Sequence, residues 1–169
     1  GMVLPVSAVQ NVDLARISFG QTIAVTGLQL AMATASVING GNYDGVYYYD
    51  NSIGTIPMAT IEAVKALKNV DSLIIGGMDR GLDYSEFIEF LNSSDISNII
   101  CMPKTGHDIA RYLKDGKFHI VDTLEEAVLV AKKVTKKGKS CLLSPAAASY
   151  GFFKNFEEKG NKFKELVKM

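Results

Sequence analysis

No sign of charge prevails in this sequence. Across 169 residues, 18 lysines and arginines face 18 aspartates and glutamates, so no global field draws the chain to nucleic acid. The one dense basic run, Lys132 to Lys139, reads as a solvated helix end, where cations are favourable against the helix dipole. Cysteine is scarce: Cys101 and Cys141 each lie within an apolar, strand-like run, without metal-ligand spacing, and read as buried thiols rather than a disulfide framework. His107 and His119 likewise lack partners at metal spacing, and no metal site is expected. Long apolar runs are missing too. None reaches the roughly 18 to 20 residues of a membrane span, and the start of the chain lacks the basic end of a signal peptide. No membrane partner and a cytoplasmic location are the expectations.

What is present is a chain with 47% hydrophobic residues and a mean hydropathy of +0.12, enough for one packed domain. From Tyr43 onward, short apolar runs alternate with helical segments, the pattern of a mostly parallel sheet with helices on both faces. Strands are predicted at Gly45 to Tyr49, Ser72 to Ile75, Asn98 to Met102, His119 to Val121 and Ser140 to Leu143. Between them, Ala59 to Leu67 carries Ile61, Val64 and Leu67 at helical spacing, with Thr60 offering a cap ahead of Glu62. A second helix is expected over Tyr84 to Leu91. A third, opened by Asp122-Thr123, runs to about Lys137 before Gly138, and a last one spans Phe153 to Val167. The sum is a Rossmann-like α/β sheet of about five or six strands.

Two loops follow predicted strands where open parallel sheets hold their ligands: Asp50-Asn51-Ser52-Ile53-Gly54-Thr55-Ile56-Pro57, and Gly76-Gly77-Met78-Asp79-Arg80-Gly81-Leu82-Asp83-Tyr84. A third stretch, Ser144 to Phe163 (SPAAASYGFFKNFEEKGNKF), joins a strand end, a small-residue turn and an aromatic-basic helix start. Together these closely resemble the C-terminal domain of the UDP-N-acetylmuramoyl-L-alanine:D-glutamate ligases. These are Mur ligases, which add D-glutamate to the peptidoglycan precursor; the likeness covers about residues 43–169, or three quarters of the chain.

The resemblance implies a site for D-glutamate, a small dianion that needs a cation, oriented hydroxyl and backbone donors, and a shape wall. Arg80 stands where the family has a carboxylate-binding lysine, and can form a bidentate fork that lysine cannot. Thr55 and Ser149 match hydroxyl positions, while Tyr150 and Phe156 match neighbouring backbone and aromatic positions, with Phe156 as the wall. Structural alternatives stand beside each: Arg80 as an ion-pair partner of Asp79 or Asp83, Thr55 and Ser149 as caps, and Phe156 as core. Asn51 aligns with the loop aspartate that helps hold the nucleotide, and Ile53 with the adjacent lysine, so charge is lost at the expected cofactor site. The family's arginine upstream of the first strand also has no counterpart in Asn39-Gly40-Gly41-Asn42-Tyr43.

The first 42 residues differ. Leu14 to Gly41 resembles a segment of the transpeptidase domain of class B penicillin-binding proteins: a glycine turn at Phe19-Gly20-Gln21, then a Thr26-capped helix carrying Leu28, Leu30, Ala31, Ala35, Val37 and Ile38. Neither a Ser-x-x-Lys box nor a Ser-x-Asn box accompanies it. Lys104-Thr105-Gly106 follows a strand inside the ligase-like part and reads as a helix-opening turn. Two domains are thus expected, 1–42 and 43–169, with an added N-terminal helix.

Full-length Mur ligases use ATP and magnesium to form an acyl phosphate, with the phosphates held by a central-domain loop that this sequence lacks. The expectation is a residual D-glutamate-binding half-site without the ATPase and UDP-sugar domains, inactive alone and with no cofactor of its own. One alternative is a subunit that complements an ATPase-bearing partner in trans. Another is a non-catalytic interaction module or a gene-fusion relic.

Overall fold

The computed structural model describes residues 41–169. The helix expected at 26–38 and the segment resembling a penicillin-binding protein lie outside the described residues. Six strands form one sheet: β1 (Asn42–Tyr43), β2 (Val46–Asp50), β3 (Val70–Ile75), β4 (Asn98–Cys101), β5 (Phe118–Ile120) and β6 (Ser140–Leu143). Their spatial order is β1-β2-β6-β3-β4-β5, with β2 through β5 parallel and β1 turned back antiparallel on β2. Five helices follow: α1 (Pro57–Leu67), α2 (Ser85–Ser93), α3 (Thr105–Ala110), α4 (Leu124–Val134) and α5 (Phe156–Lys168).

The two-residue period of the strands divides the core into two layers. Leu73, Ile75, Ile99, Cys101 and Leu142 point to one face, where they pack with Ile61 of α1, Phe87 and Leu91 of α2 and Ile109 of α3. Ile74, Ile100, Cys141 and Leu143 point to the other, against Leu124, Ala127 and Val128 of α4 and Phe163 and Val167 of α5. Each such fully buried aliphatic side chain contributes about 1.5–3 kcal/mol. Both cysteines are free and buried, and burial raises both thiols well above their ordinary range, Cys101 to about 12.

Most predicted elements are found within a residue or two, and the exceptions have local causes. The α1 helix starts at Pro57, whose fixed φ and missing N–H suit a first-turn position, so Thr60 lies inside the helix rather than at its cap. Its buried hydroxyl instead meets Ser144 Oγ at 2.8 Å. The expected Thr123 cap does form: its Oγ1 accepts from the Glu126 amide at 3.1 Å, and Glu126 Oε2 accepts from the Asp122 amide. That helix stops at Val134, three residues short of the expected end, because Thr135 turns extended and its hydroxyl is taken up by Ser72 Oγ and the Ala131 carbonyl. The last helix begins at Phe156 rather than Phe153, since Asn155 Oδ1 accepts from the Glu158 amide at 2.8 Å and sets the start. Lys104-Thr105-Gly106 opens α3, as its helix-opening reading had it.

Candidate functional site

In this topology the chain leaves β2 and β3 toward helices on one face and leaves β6, which lies between them, toward the other. The loops after these three strands therefore diverge around a crevice at the carboxyl edge of the sheet. Backbone hydrogen bonds tie the three loops together. Gly76 N donates to Pro145 O at 2.9 Å, Met78 N to Ala148 O at 2.8 Å, and Ala146 N to Gly54 O at 2.9 Å. Tyr84 adds a fourth tie, its hydroxyl donating to Ala146 O at 3.1 Å. The closeness needs glycine: Gly76 and Gly77 have φ of +123° and +158°, and a Cβ at either would run into the carbonyl oxygens of Met102 and Ala148.

The candidate residues occupy this crevice in different ways. Arg80 donates from its guanidinium to the Thr55 carbonyl at 3.2 Å, so the loops after β2 and β3 meet at these two residues. Its ion-pair alternative is not what the geometry shows. Asp79 Oδ1 accepts from the Gly81 amide and Asp83 Oδ1 from the amide and hydroxyl of Ser85, and no carboxylate pairs with Arg80 among the described residues. Those bonds from Ser85 hold the Asp83 carboxyl below its ordinary range. Thr55 caps nothing, because the residue at the start of α1 is Ile56 and no side chain accepts there.

Ser149 is the decisive one. It is 4% exposed, and its hydroxyl is the one buried side-chain polar atom without a hydrogen-bond partner among the described residues. An orphaned buried hydroxyl is costly, on the order of 1–3 kcal/mol, and such groups in native folds call for a ligand or solvent partner. Tyr150 and Phe156 lie on the same loop and helix start at 59% and 38% exposure, so Phe156 is not core. Asn51 donates its Nδ2 to Ser144 Oγ at 2.9 Å, which directs that amide group toward β6.

Sequence reasoning overlooked Lys159, which is 1% exposed and donates from Nζ to Gly76 O at 3.2 Å. Burial lowers its pKa to about 8. A signal for it existed: Lys159, Phe163 and Val167 recur at four-residue spacing, so the lysine heads the buried stripe of α5. One further triplet, Gly138-Lys139-Ser140, spells the end of a phosphate loop, yet it leads into β6 at the opposite edge of the sheet. A phosphate loop follows a strand and opens a helix, so this triplet is a turn.

No family model matches the chain. Curated relatives do. It is 42% identical over 130 residues to the UDP-N-acetylmuramoylalanine-D-glutamate ligase of Caldanaerobacter subterraneus subsp. tengcongensis, covering 73% of this chain and 28% of that protein. The enzymes of the same name from Clostridioides difficile and Aquifex aeolicus are 36% and 37% identical over 75% and 76% of the chain. This chain carries a Mur ligase C-terminal domain. The fold agrees: the MurF ligase of Thermotoga maritima, solved in complex with ADP, superposes with a TM-score of 0.51 at 19% identity, covering 92% of this chain and 36% of that one. The Mur ligase match spans under a third of the relatives' own length. No helix among the described residues is long and apolar enough to cross a membrane.

Proposed function

We propose that this Mur ligase domain is the amino-acid-receiving part of a D-glutamate-adding ligase. In this reading Arg80 holds a carboxylate of D-glutamate, Thr55 and Ser149 supply hydroxyls, and Tyr150 and Phe156 shape the opening. The observation that carries it is the unpartnered, buried Ser149 hydroxyl, on a loop that backbone hydrogen bonds tie to the loops of Arg80 and Thr55. A carboxylate oxygen would satisfy that donor and accept from the free guanidinium N–H groups. The domain's part in catalysis is then positional, presenting the amine for attack on an acyl phosphate that an ATP- and magnesium-binding domain forms.

A specific observation favours work with such a domain rather than alone. Ile53, Ile56, Met58, Met78, Tyr150 and Phe152 are all exposed large apolar side chains on the loops or helix start around the crevice. An apolar rim of this kind suits a partner surface, supplied by an ATPase-bearing domain in cis or in trans.

Isothermal titration of the protein with D-glutamate, with L-glutamate and ATP-magnesium in parallel, tests the reading. Selective heat with D-glutamate, lost in Arg80→Ala, is expected, since an unpaired carboxylate in a partly dry site costs a few kcal/mol. Absence of heat with every ligand at concentrations that detect millimolar affinity overturns it, as does equal binding by Arg80→Ala.

A further inference from the structure

On the α4 and α5 face of the sheet lies a second cavity of about 260 Å³, walled by Gly76, Gly77, Leu124, Phe152, Phe153 and Lys159. None of Thr55, Arg80, Ser149, Tyr150 or Phe156 lines it.

Lys159 is its anomaly. An ammonium carries three donors, and here one is spent on Gly76 O at 3.2 Å while the Phe153 ring lies 5.6 Å from Nζ. No carboxylate stands within ion-pair distance among the described residues. A buried cation ordinarily has a paired anion, because leaving it without one costs several kcal/mol. The start of α4, an 11-residue helix whose Leu124 and Glu125 amides have no acceptor within the helix, also lines the cavity. Asp122, just ahead of the α4 cap, and Glu125, in the first turn of α4, are the other charged groups at the cavity. Glu125 is drawn outward to Lys162 at 3.4 Å, and the Asp122 amide is held by Glu126.

We infer that this cavity is a second ligand site, which takes the oxyanion group of a small molecule, carboxylate or phosphate, between Lys159 and the first turn of α4. The anion supplies the counter-charge that the fold leaves out, and Phe152 and Phe153 face the remainder of the ligand.

Amide shifts of the full chain, followed by NMR during titration with inorganic phosphate and separately with acetate at pH 7 and fixed ionic strength, test it. Saturable shifts are expected at Gly76, Gly77, Leu124 and Glu125 with at least one anion; which anion saturates tells phosphate from carboxylate. Arg80→Ala leaves them in place, whereas Lys159→Met weakens affinity by more than about tenfold and Lys159→Arg retains it. Acetate keeps its single charge from pH 7 to 9.5 while Lys159 loses its proton, so wild-type affinity for acetate falls by about tenfold over that range. Shifts that stay linear with both anions, that persist in Lys159→Met, or that ignore this pH change overturn the proposal. Should Lys159→Met not fold, the arginine variant and the pH series decide alone.

Discussion

The two edges of the same sheet differ in how completely they satisfy their buried polar groups. At the amino edge every such group has a partner. Asp71, 4% exposed, accepts from Ser97 Oγ at 2.9 Å and the Lys136 amide at 3.0 Å and pairs with Lys136 Nζ at 3.5 Å. Thr135 is bonded to Ser72, and Ser140 to Asn69 at 2.8 Å. At the carboxyl edge Ser149 has no partner and Lys159 has one acceptor for three donors. One edge closes its polar network to hold the fold together. The other leaves donors open, as a binding surface must, at some expense in stability.

The sharpest way to break this contrast is to open the closed edge. Asp71→Ala leaves the Ser97 hydroxyl and Lys136 amide unanswered and is expected to cost about 3 kcal/mol by urea denaturation, without moving ligand binding. A loss under 1 kcal/mol would mean that the amino edge is not the stabilising one.

The next effect concerns Lys159. Its folded pKa of about 8 lies below the ordinary 10.5, so the unfolded chain holds that proton more tightly. The cost of the buried charge, about 3 kcal/mol, is therefore fully present below pH 8 and relieved as pH rises toward 10.5. Relative to Lys159→Met, the wild type should gain about 2 kcal/mol between pH 7 and 10 in denaturation measured at each pH. A flat difference would show that the ammonium is better solvated than its burial implies.

Smallest and most telling is a pair of serine deletions. Ser140→Ala removes one buried hydrogen bond and should cost about 1 kcal/mol. Ser149→Ala removes none and relieves a buried unpaired hydroxyl, so it should raise stability by about 1 kcal/mol, while abolishing any D-glutamate binding. Equal losses of stability in the two variants would erase the distinction between the edges.

The alternation of strands and helices was legible because each rests on a local period and on caps such as Thr123. The edge strand β1 was not named among the predicted strands: two residues, Asn42 and Tyr43, carry too little period to announce a strand, and only pairing to β2 makes them one. Motif resemblance pointed to Arg80, Thr55 and Ser149 as candidates. It left open whether Arg80 was an ion-pair partner and Ser149 a cap, because those alternatives depend on which atoms lie within 3–4 Å across loops 25 to 92 residues apart in the chain.

The sequence by itself determined the layered α/β architecture, the glycines that let the loops approach, and the kinship with D-glutamate ligases. Tertiary structure alone decided which polar groups are answered. Hydrogen-bond satisfaction is a property of packed neighbours rather than of spacing, and so the open hydroxyl of Ser149 and the near-unpaired ammonium of Lys159 emerge only when the helices close over the sheet.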